Sequence, residues 1–202
     1  MHDWIFAHRG NWHPNLPPNS SDALSKAFSN GFAVETDVRD FQGELVISHD
    51  PCSNPEAQRF NQLISNNQRI AINIKSDGLS SLLRMHTEQI LQSNSFIFDC
   101  SFPELLRFKK VGIPHAMRLS EYEKEFPWTP NYIWLDAFES DWWIEDSYTL
   151  DLIKKIPAVV VSSELHKRPH DEVWNKVKTL RKSGVNVSVC TDFPEQLAKE
   201  LA

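Results

Sequence analysis

Trp4-Ile5-Phe6-Ala7-His8-Arg9-Gly10 is a short apolar run that stops abruptly at two ionisable residues and a glycine. The pattern returns along the chain. Phe32-Ala33-Val34 meets Glu35-Thr36-Asp37, Val46-Ile47-Ser48 meets His49-Asp50, and Arg69-Ile70-Ala71-Ile72 meets Asn73 and Lys75. Ser95-Phe96-Ile97-Phe98 ends at Asp99, Ala116-Met117 at Arg118, and Tyr132-Ile133-Trp134-Leu135 at Asp136. Ala158-Val159-Val160-Val161 leads to Ser162 and Glu164, and Val185 to Val189 leads to Thr191-Asp192. Short continuous apolar runs are what strands buried on both faces require.

Helical segments lie between these runs. Ser20 or Ser21 caps a helix through Ser29, which Asn30-Gly31 stops. A helix is expected from about Glu56 to Ile64 and a long one from about Leu79 to Gln92. Ser101 with Pro103 and Glu104 starts another, ended by Gly112. Further helices end near Lys155, run from about His170 to Lys182 and open at Pro194. Glu44 to Ile47 follows the turn Phe41-Gln42-Gly43 as a hairpin partner of the second strand. This α/β alternation gives eight strand-helix units, which favours a closed (β/α)8 barrel, the TIM barrel, over a doubly wound sheet. With 202 residues the chain sits near the floor for that fold, so a compact barrel with few insertions, one domain over residues 1–202, is expected. No glycine-rich phosphate loop follows any strand, which counts against a dinucleotide site.

A formal charge of −6 argues against non-specific nucleic-acid binding, yet leaves room for a local cationic pocket and a small anionic ligand. Cys52, Cys100 and Cys190 are odd in number and widely spaced, giving neither a disulfide framework nor a zinc motif. Free thiols, no signal peptide and no apolar stretch long enough for a membrane span lead to the expectation of a cytoplasmic protein without integral membrane association. The oligomeric state has no sequence marker.

If the barrel is right, the residues ending its strands share one rim, where such folds place active sites. Glu35 and Asp37 lie two apart on a strand and so on one face, a pair of hard oxygen donors suited to Mg²⁺ or Ca²⁺. Two histidines, His8 and His49, suit paired acid and base work near neutral pH. Arg9 and Lys75 suit an anionic group such as phosphate. Arg118, Asp136 and Glu164 end later strands and are candidates for the substrate pocket. Each residue alone is more often a surface charge or a hydrogen-bonded core group; their shared position is what counts. Together they are the parts needed to cleave a phosphodiester.

The order and spacing of His8-Arg9-Gly10, Pro17-Pro18-Asn19-Ser20, Glu35-Thr36-Asp37 and His49-Asp50 resemble the opening of the glycerophosphodiester phosphodiesterases, metal-dependent hydrolases on an eight-fold barrel. Cys190-Thr191-Asp192-Phe193-Pro194 is similar to that family's last strand and turn. The resemblance implies that His8 and His49 form the acid/base pair, read here with His8 as the base and His49 as the acid, that Arg9 and Lys75 hold phosphate, and that Glu35, Asp37 and Asn73 hold a divalent metal. Two departures stand out. Pro18 replaces a glutamate that would orient Arg9, and Asn73 replaces a carboxylate ligand; Asp99 or Glu164 is then a substitute ligand. The chain between His49 and the third strand is also short, which implies an open pocket or a different alcohol. The same departures fit a barrel that binds a phosphate ligand without turnover. Two histidines also fit a metal-free phospholipase C-like lyase.

Overall fold

The apolar runs become strands. The computed structural model describes residues 2–64 and 68–200. Its strands are β1 (His2–His8), β2 (Phe32–Phe41), β3 (Glu44–Ile47), β4 (Ile70–Ile74), β5 (Phe96–Phe98), β6 (Ala116–Leu119), β7 (Tyr132–Leu135), β8 (Ala158–Val161) and β9 (Val187–Thr191). The sheet order is β5-β4-β2-β1-β9-β8-β7-β6, all parallel, and β3 pairs antiparallel with β2 outside that path. The two ends of the path meet. Ile97 in β5 bridges to His115, and its N–H donates to the Pro114 carbonyl at 3.0 Å. Eight parallel strands thus form a nearly closed barrel with helices outside it, the expected (β/α)8 architecture.

Alternation of side chains along the strands divides the apolar residues into two cores. Phe6, Ala33, Ala71, Phe96, Phe98, Ala116, Trp134, Val159, Val161 and Cys190 fill the barrel's interior. Small alanines there face large aromatics; Phe98 stacks on Trp134 with centroids 3.9 Å apart. The neighbours of opposite parity, such as Ile5, Ala7, Val34, Ile72 and Val160, face the helices. Stepping two residues toward the C-terminal end of each strand keeps a side chain on the interior column. Phe6 therefore leads to His8, Ala33 to Glu35 and Asp37, Ala71 to Asn73 and Lys75, Ala116 to Arg118, Trp134 to Asp136, and Cys190 to Asp192. The period of two aims the ionisable residues at one mouth.

The helices are α1 (Ser21–Ser29), α2 (Phe60–Ile64), α3 (Ser80–Leu83), α4 (Thr87–Gln92), α5 (Phe102–Lys110), α6 (Ser147–Ile153), α7 (Asp171–Lys182) and α8 (Pro194–Glu200). Ser20 caps α1, its Oγ accepting from the Ala23 N–H, and Ser101 caps α5 in the same way through Glu104. None of the described helices is long and apolar enough to cross a membrane.

Four local expectations need correction. The helix expected from Glu56 is only α2, because Gln58 and Arg59 are drawn onto β3: the Ile47 N–H donates to the Gln58 carbonyl and Val46 bridges to Arg59. The long helix from Leu79 is broken into α3, a 3₁₀ turn over Arg84–His86, and α4, with the Thr87 hydroxyl donating to the Arg84 carbonyl at 2.8 Å. The last strand starts later than Val185, whose N–H still closes the end of α7 on the Leu180 carbonyl. No helix follows β6 among the described residues. Its place is taken by a loop in which Ser120 Oγ accepts from the Tyr122 and Glu123 N–H groups and Trp128 packs over the wall.

Candidate active site

Arg9 and Gly10 turn the chain sharply at the end of β1. Both have positive φ, 56° and 90°. Gly10 is pressed against the start of α1: a Cβ there would lie 2.7 Å from the Ala23 carbonyl carbon and 2.9 Å from the Leu24 nitrogen. Only glycine fits that approach. Asn19 and Asp99, also at the mouth, have φ of 61° and 62°. Left-handed non-glycine residues cost energy and tend to collect at functional sites.

Asp37 is completely buried and is the hub of the mouth. Its Oδ2 accepts from Asn19 Nδ2 at 2.8 Å and lies 3.0 Å from Arg9 Nε; its Oδ1 lies 3.4 Å from Lys75 Nζ. A buried carboxylate needs such compensation. Asp37 therefore supplies the orienting carboxylate for Arg9 that Pro18 cannot. Asn19 is itself fixed by the Thr36 hydroxyl, which donates to its Oδ1 at 2.8 Å.

Glu35, two residues before, is buried as well. It accepts from Asn73 Nδ2 at 3.1 Å and from the Arg9 N–H at 3.2 Å, and lies 3.9 Å from His8 Nε2. Burial pushes its carboxyl above the usual range; the His8 charge pulls it back and Asp37 pushes it further up. His8 Nδ1 pairs with Asp192 Oδ1 at 2.8 Å, and Trp12 Nε1 donates to the same oxygen at 3.2 Å. Burial works against the His8 imidazolium, but the Asp192 hydrogen bond and the Glu35 charge outweigh it, so its pKa is raised.

Across the mouth, Asp136 Oδ1 pairs with His166 Nε2 at 2.7 Å, and Asp136 Oδ2 lies 3.8 Å from Arg118 Nε. Arg118 also pairs with Asp99, whose other oxygen lies 3.7 Å from Lys75 Nζ. A chain of ion pairs thus runs round the rim from Lys75 through Asp99 and Arg118 to Asp136, which holds His166. A cavity of about 320 Å³ opens at its centre, with His8, Arg9, Glu35, Asn73, Lys75, Asp136 and His166 in its wall. A second, larger cavity of about 580 Å³ lies beyond Asp99 and Arg118, over the loop after β6.

The structure thus brings together His8, Arg9, Glu35, Asn73, Lys75 and Asp136 in one cavity wall, with Asp37 beneath; Arg118 lines the second cavity instead and reaches this one through its pairs with Asp99 and Asp136. Two more expected residues are placed differently. Glu164 does not line the cavity; it turns inward beneath Asp192, accepting from Thr191 Oγ1 at 2.5 Å, from the Asp192 N–H at 3.1 Å and from the Ser162 hydroxyl. It braces the last strand, with its oxygens committed to those donors. His49 stands on the rim next to β2, where the Ser48 N–H donates to the Asp37 carbonyl at 3.0 Å. Its imidazole is 47% exposed, pairs with Asp50 and is absent from the cavity wall. Three site residues were not nominated by the sequence. Asp192 carries a signal, lying two past interior Cys190; Asn19 lies in the Pro17-to-Ser20 motif; His166 is hidden in a basic run, Ser162 to Arg168.

Three oxygens are the candidates for a hard cation. Asp37 and Asn73 are register partners on β2 and β4. Asp37 Oδ1 and Asn73 Oδ1 are both buried without a hydrogen-bond partner, beside Glu35. Buried acceptor oxygens so placed, with Lys75 Nζ 3.4 Å from Asp37 Oδ1, fit Mg²⁺ or Ca²⁺. The set holds two carboxylates, and no group of three His, Cys, Asp or Glu is poised for a metal among the described residues.

No protein-family model matches the chain, and no curated protein sequence does. Solved structures do share its fold. It is similar to a glycerophosphodiester phosphodiesterase from Agrobacterium tumefaciens, with a TM-score of 0.70 and 14% identity over 96% of this chain and 97% of that one. A glycerophosphodiester phosphodiesterase from Parabacteroides distasonis gives 0.65 and 16% over 98% and 95%. A glycerophosphoryl diester phosphodiesterase from the same organism gives 0.52 and 13% over 96% and 84%. What the chain has in common with these three enzymes, at such identities, is the barrel from end to end.

Proposed function

We propose that this protein hydrolyses a small glycerophosphodiester-like substrate with the help of a divalent metal, Mg²⁺ or Ca²⁺. The observation that carries the reading is the convergence of Arg9, Lys75 and the His8–Asp192 pair on one cavity at the C-terminal mouth of the barrel. The three phosphodiesterase structures with this barrel support it.

The phosphate oxygens lie between the Arg9 guanidinium and the Lys75 ammonium. Asp37 holds both cations in place, so little reorganisation is needed as negative charge builds on the oxygens. Glu35, Asp37 and Asn73 would hold the metal. When bound, it polarises the phosphoryl oxygens and stabilises the developing charge. Asp192 occupies His8 Nδ1, which leaves Nε2 as the reactive nitrogen. The Asp192 carboxylate also stabilises the imidazolium that forms when His8 takes a proton from the attacking water. His49, the acid implied by the resemblance, would have to swing inward from the exposed rim.

The test is a panel of diesters assayed with Mg²⁺, with Ca²⁺ and with chelator. Metal-dependent alcohol release is expected, and His8→Ala should lower it by roughly 100-fold or more. Calorimetric binding of phosphate with no turnover of any diester would replace the enzyme with a binding barrel. Undiminished activity in chelator would favour a lyase-type mechanism.

A further inference from the structure

The second histidine of the cavity is His166. Its Nε2 is held by Asp136 at 2.7 Å, and its Nδ1 makes no hydrogen bond among the described residues. The loop that carries it is rigidly tied. Arg168 Nη1 donates to Asp141 Oδ1 at 2.7 Å, Arg168 Nη2 to the Ala137 carbonyl at 2.5 Å, and the Arg168 N–H to the Ser163 carbonyl at 3.0 Å. The Phe138 ring stands edge-on to the imidazole at 5.2 Å. His8 and His166 thus share one cavity, each oriented by its own aspartate. His49 has neither a place in the cavity wall nor a buried partner; Asp50 is 88% exposed.

We propose that His166, rather than His49, protonates the departing alcohol, with Asp136 as its positioning residue. The assignment rests on the phosphodiesterase reading. Water attacks phosphorus and gives its proton to His8. The P–O bond to the alcohol breaks, and its electron pair takes the proton carried by His166. The products are a phosphomonoester and a neutral alcohol, and bulk water returns both histidines to their starting states.

A general acid matters in proportion to how poor the leaving group is. Two substrates decide the matter: an alkyl glycerophosphodiester and methyl p-nitrophenyl phosphate, whose nitrophenolate departs unaided. His166→Gln should lower kcat on the alkyl diester by about 100-fold or more and on the nitrophenyl diester by less than about 10-fold. Asp136→Asn, nearly isosteric, should show the same split more mildly. His49→Ala should leave both rates within about threefold, as the loss of a group without a catalytic proton would. Equal losses on both substrates in His166→Gln, or the leaving-group split appearing in His49→Ala instead, would overturn the assignment. If the wild-type chain turns over neither diester, the phosphodiesterase reading falls and takes the assignment with it. A refolding failure of His166→Gln, seen in its melting curve, passes the decision to Asp136→Asn and His49→Ala.

Discussion

Gly10→Ala isolates what the first turn of the site demands. The residue sits at φ +90°, where an L side chain meets its own carbonyl; that conformation alone costs about 1–2 kcal/mol. The new methyl would also lie 2.7 Å from the Ala23 carbonyl carbon and 2.9 Å from both the Ala23 oxygen and the Leu24 nitrogen. These are main-chain atoms of α1. They cannot yield singly, because the Asn11 N–H is hydrogen-bonded to the same Ala23 carbonyl at 2.9 Å. Overpacking of this kind adds about 1–3 kcal/mol. The sum, about 2–5 kcal/mol, is a large part of the roughly 5–15 kcal/mol that holds a domain together. Gly43→Ala is the control: its φ is +83°, but nothing lies within 4 Å of the place its methyl would take. In urea, Gly10→Ala should unfold at a midpoint roughly 1–2 M lower than wild type, and Gly43→Ala should lose less than half as much. Equal losses in the two variants would refute the claim that close approach of β1 and α1, and not backbone conformation alone, requires glycine after Arg9.

His115 should make stability fall as the pH falls. Burial lowers its pKa below the ordinary 6.5, and its Nε2 accepts from Trp128 Nε1 at 2.9 Å, a bond that protonation abolishes. Below about 6.5 the unfolded chain takes up the proton first, so the melting temperature should drop between pH 7 and 5, and His115→Gln should flatten the drop. His8, whose pKa is raised, acts in the opposite direction, which is why the pairwise comparison is the informative measurement; identical slopes would contradict the argument. Asn73→Glu restores a third carboxylate and should tighten Mg²⁺ or Ca²⁺ binding by about 10-fold or more in calorimetry, whereas unchanged affinity would remove Asn73 from the ligand set. Burial, then Glu104, pushes the Cys100 thiol up to about 12, and burial raises Cys190 as well. A thiol reagent at pH 8 should therefore modify Cys52 first in the native protein, and equal rates at Cys100 would count against its burial.

The strands and the mouth were readable from the chain because their signal is local. A four-residue apolar run announces a strand, and the residue two past its last interior side chain points into the mouth; His8, Glu35, Asn73, Arg118 and Asp136 all follow that rule. Partners are set by distance across the barrel, which no local pattern carries. His8 and Asp192 are 184 residues apart, and Asp37 finds Asn19 across the turn after β1. The roles of His49 and Glu164 were likewise undetermined by position. Each ends or follows a strand, but His49 belongs to the added hairpin, and Glu164 lies three past interior Val161 and so has the wrong parity. The break in the helix before β5 comes from the Thr87 hydroxyl on the Arg84 carbonyl, and the loop after β6 from Ser120 Oγ taking the Tyr122 and Glu123 N–H groups, side-chain bonds that compete with the helical ladder.

Closure at Ile97 gives the cylinder one weak stave. Among the described residues a single main-chain bridge joins β5 to the segment leading into β6, while the neighbouring staves are laced along their length. Above that bridge the two edges are held by the Asp99–Arg118 clasp, and the larger cavity lies directly over it. An anion that draws Arg118 away from Asp99 would unfasten the clasp. Amide hydrogen exchange at Ile97 should then quicken in phosphate, so that breathing of the wall becomes a gauge of occupancy at the mouth.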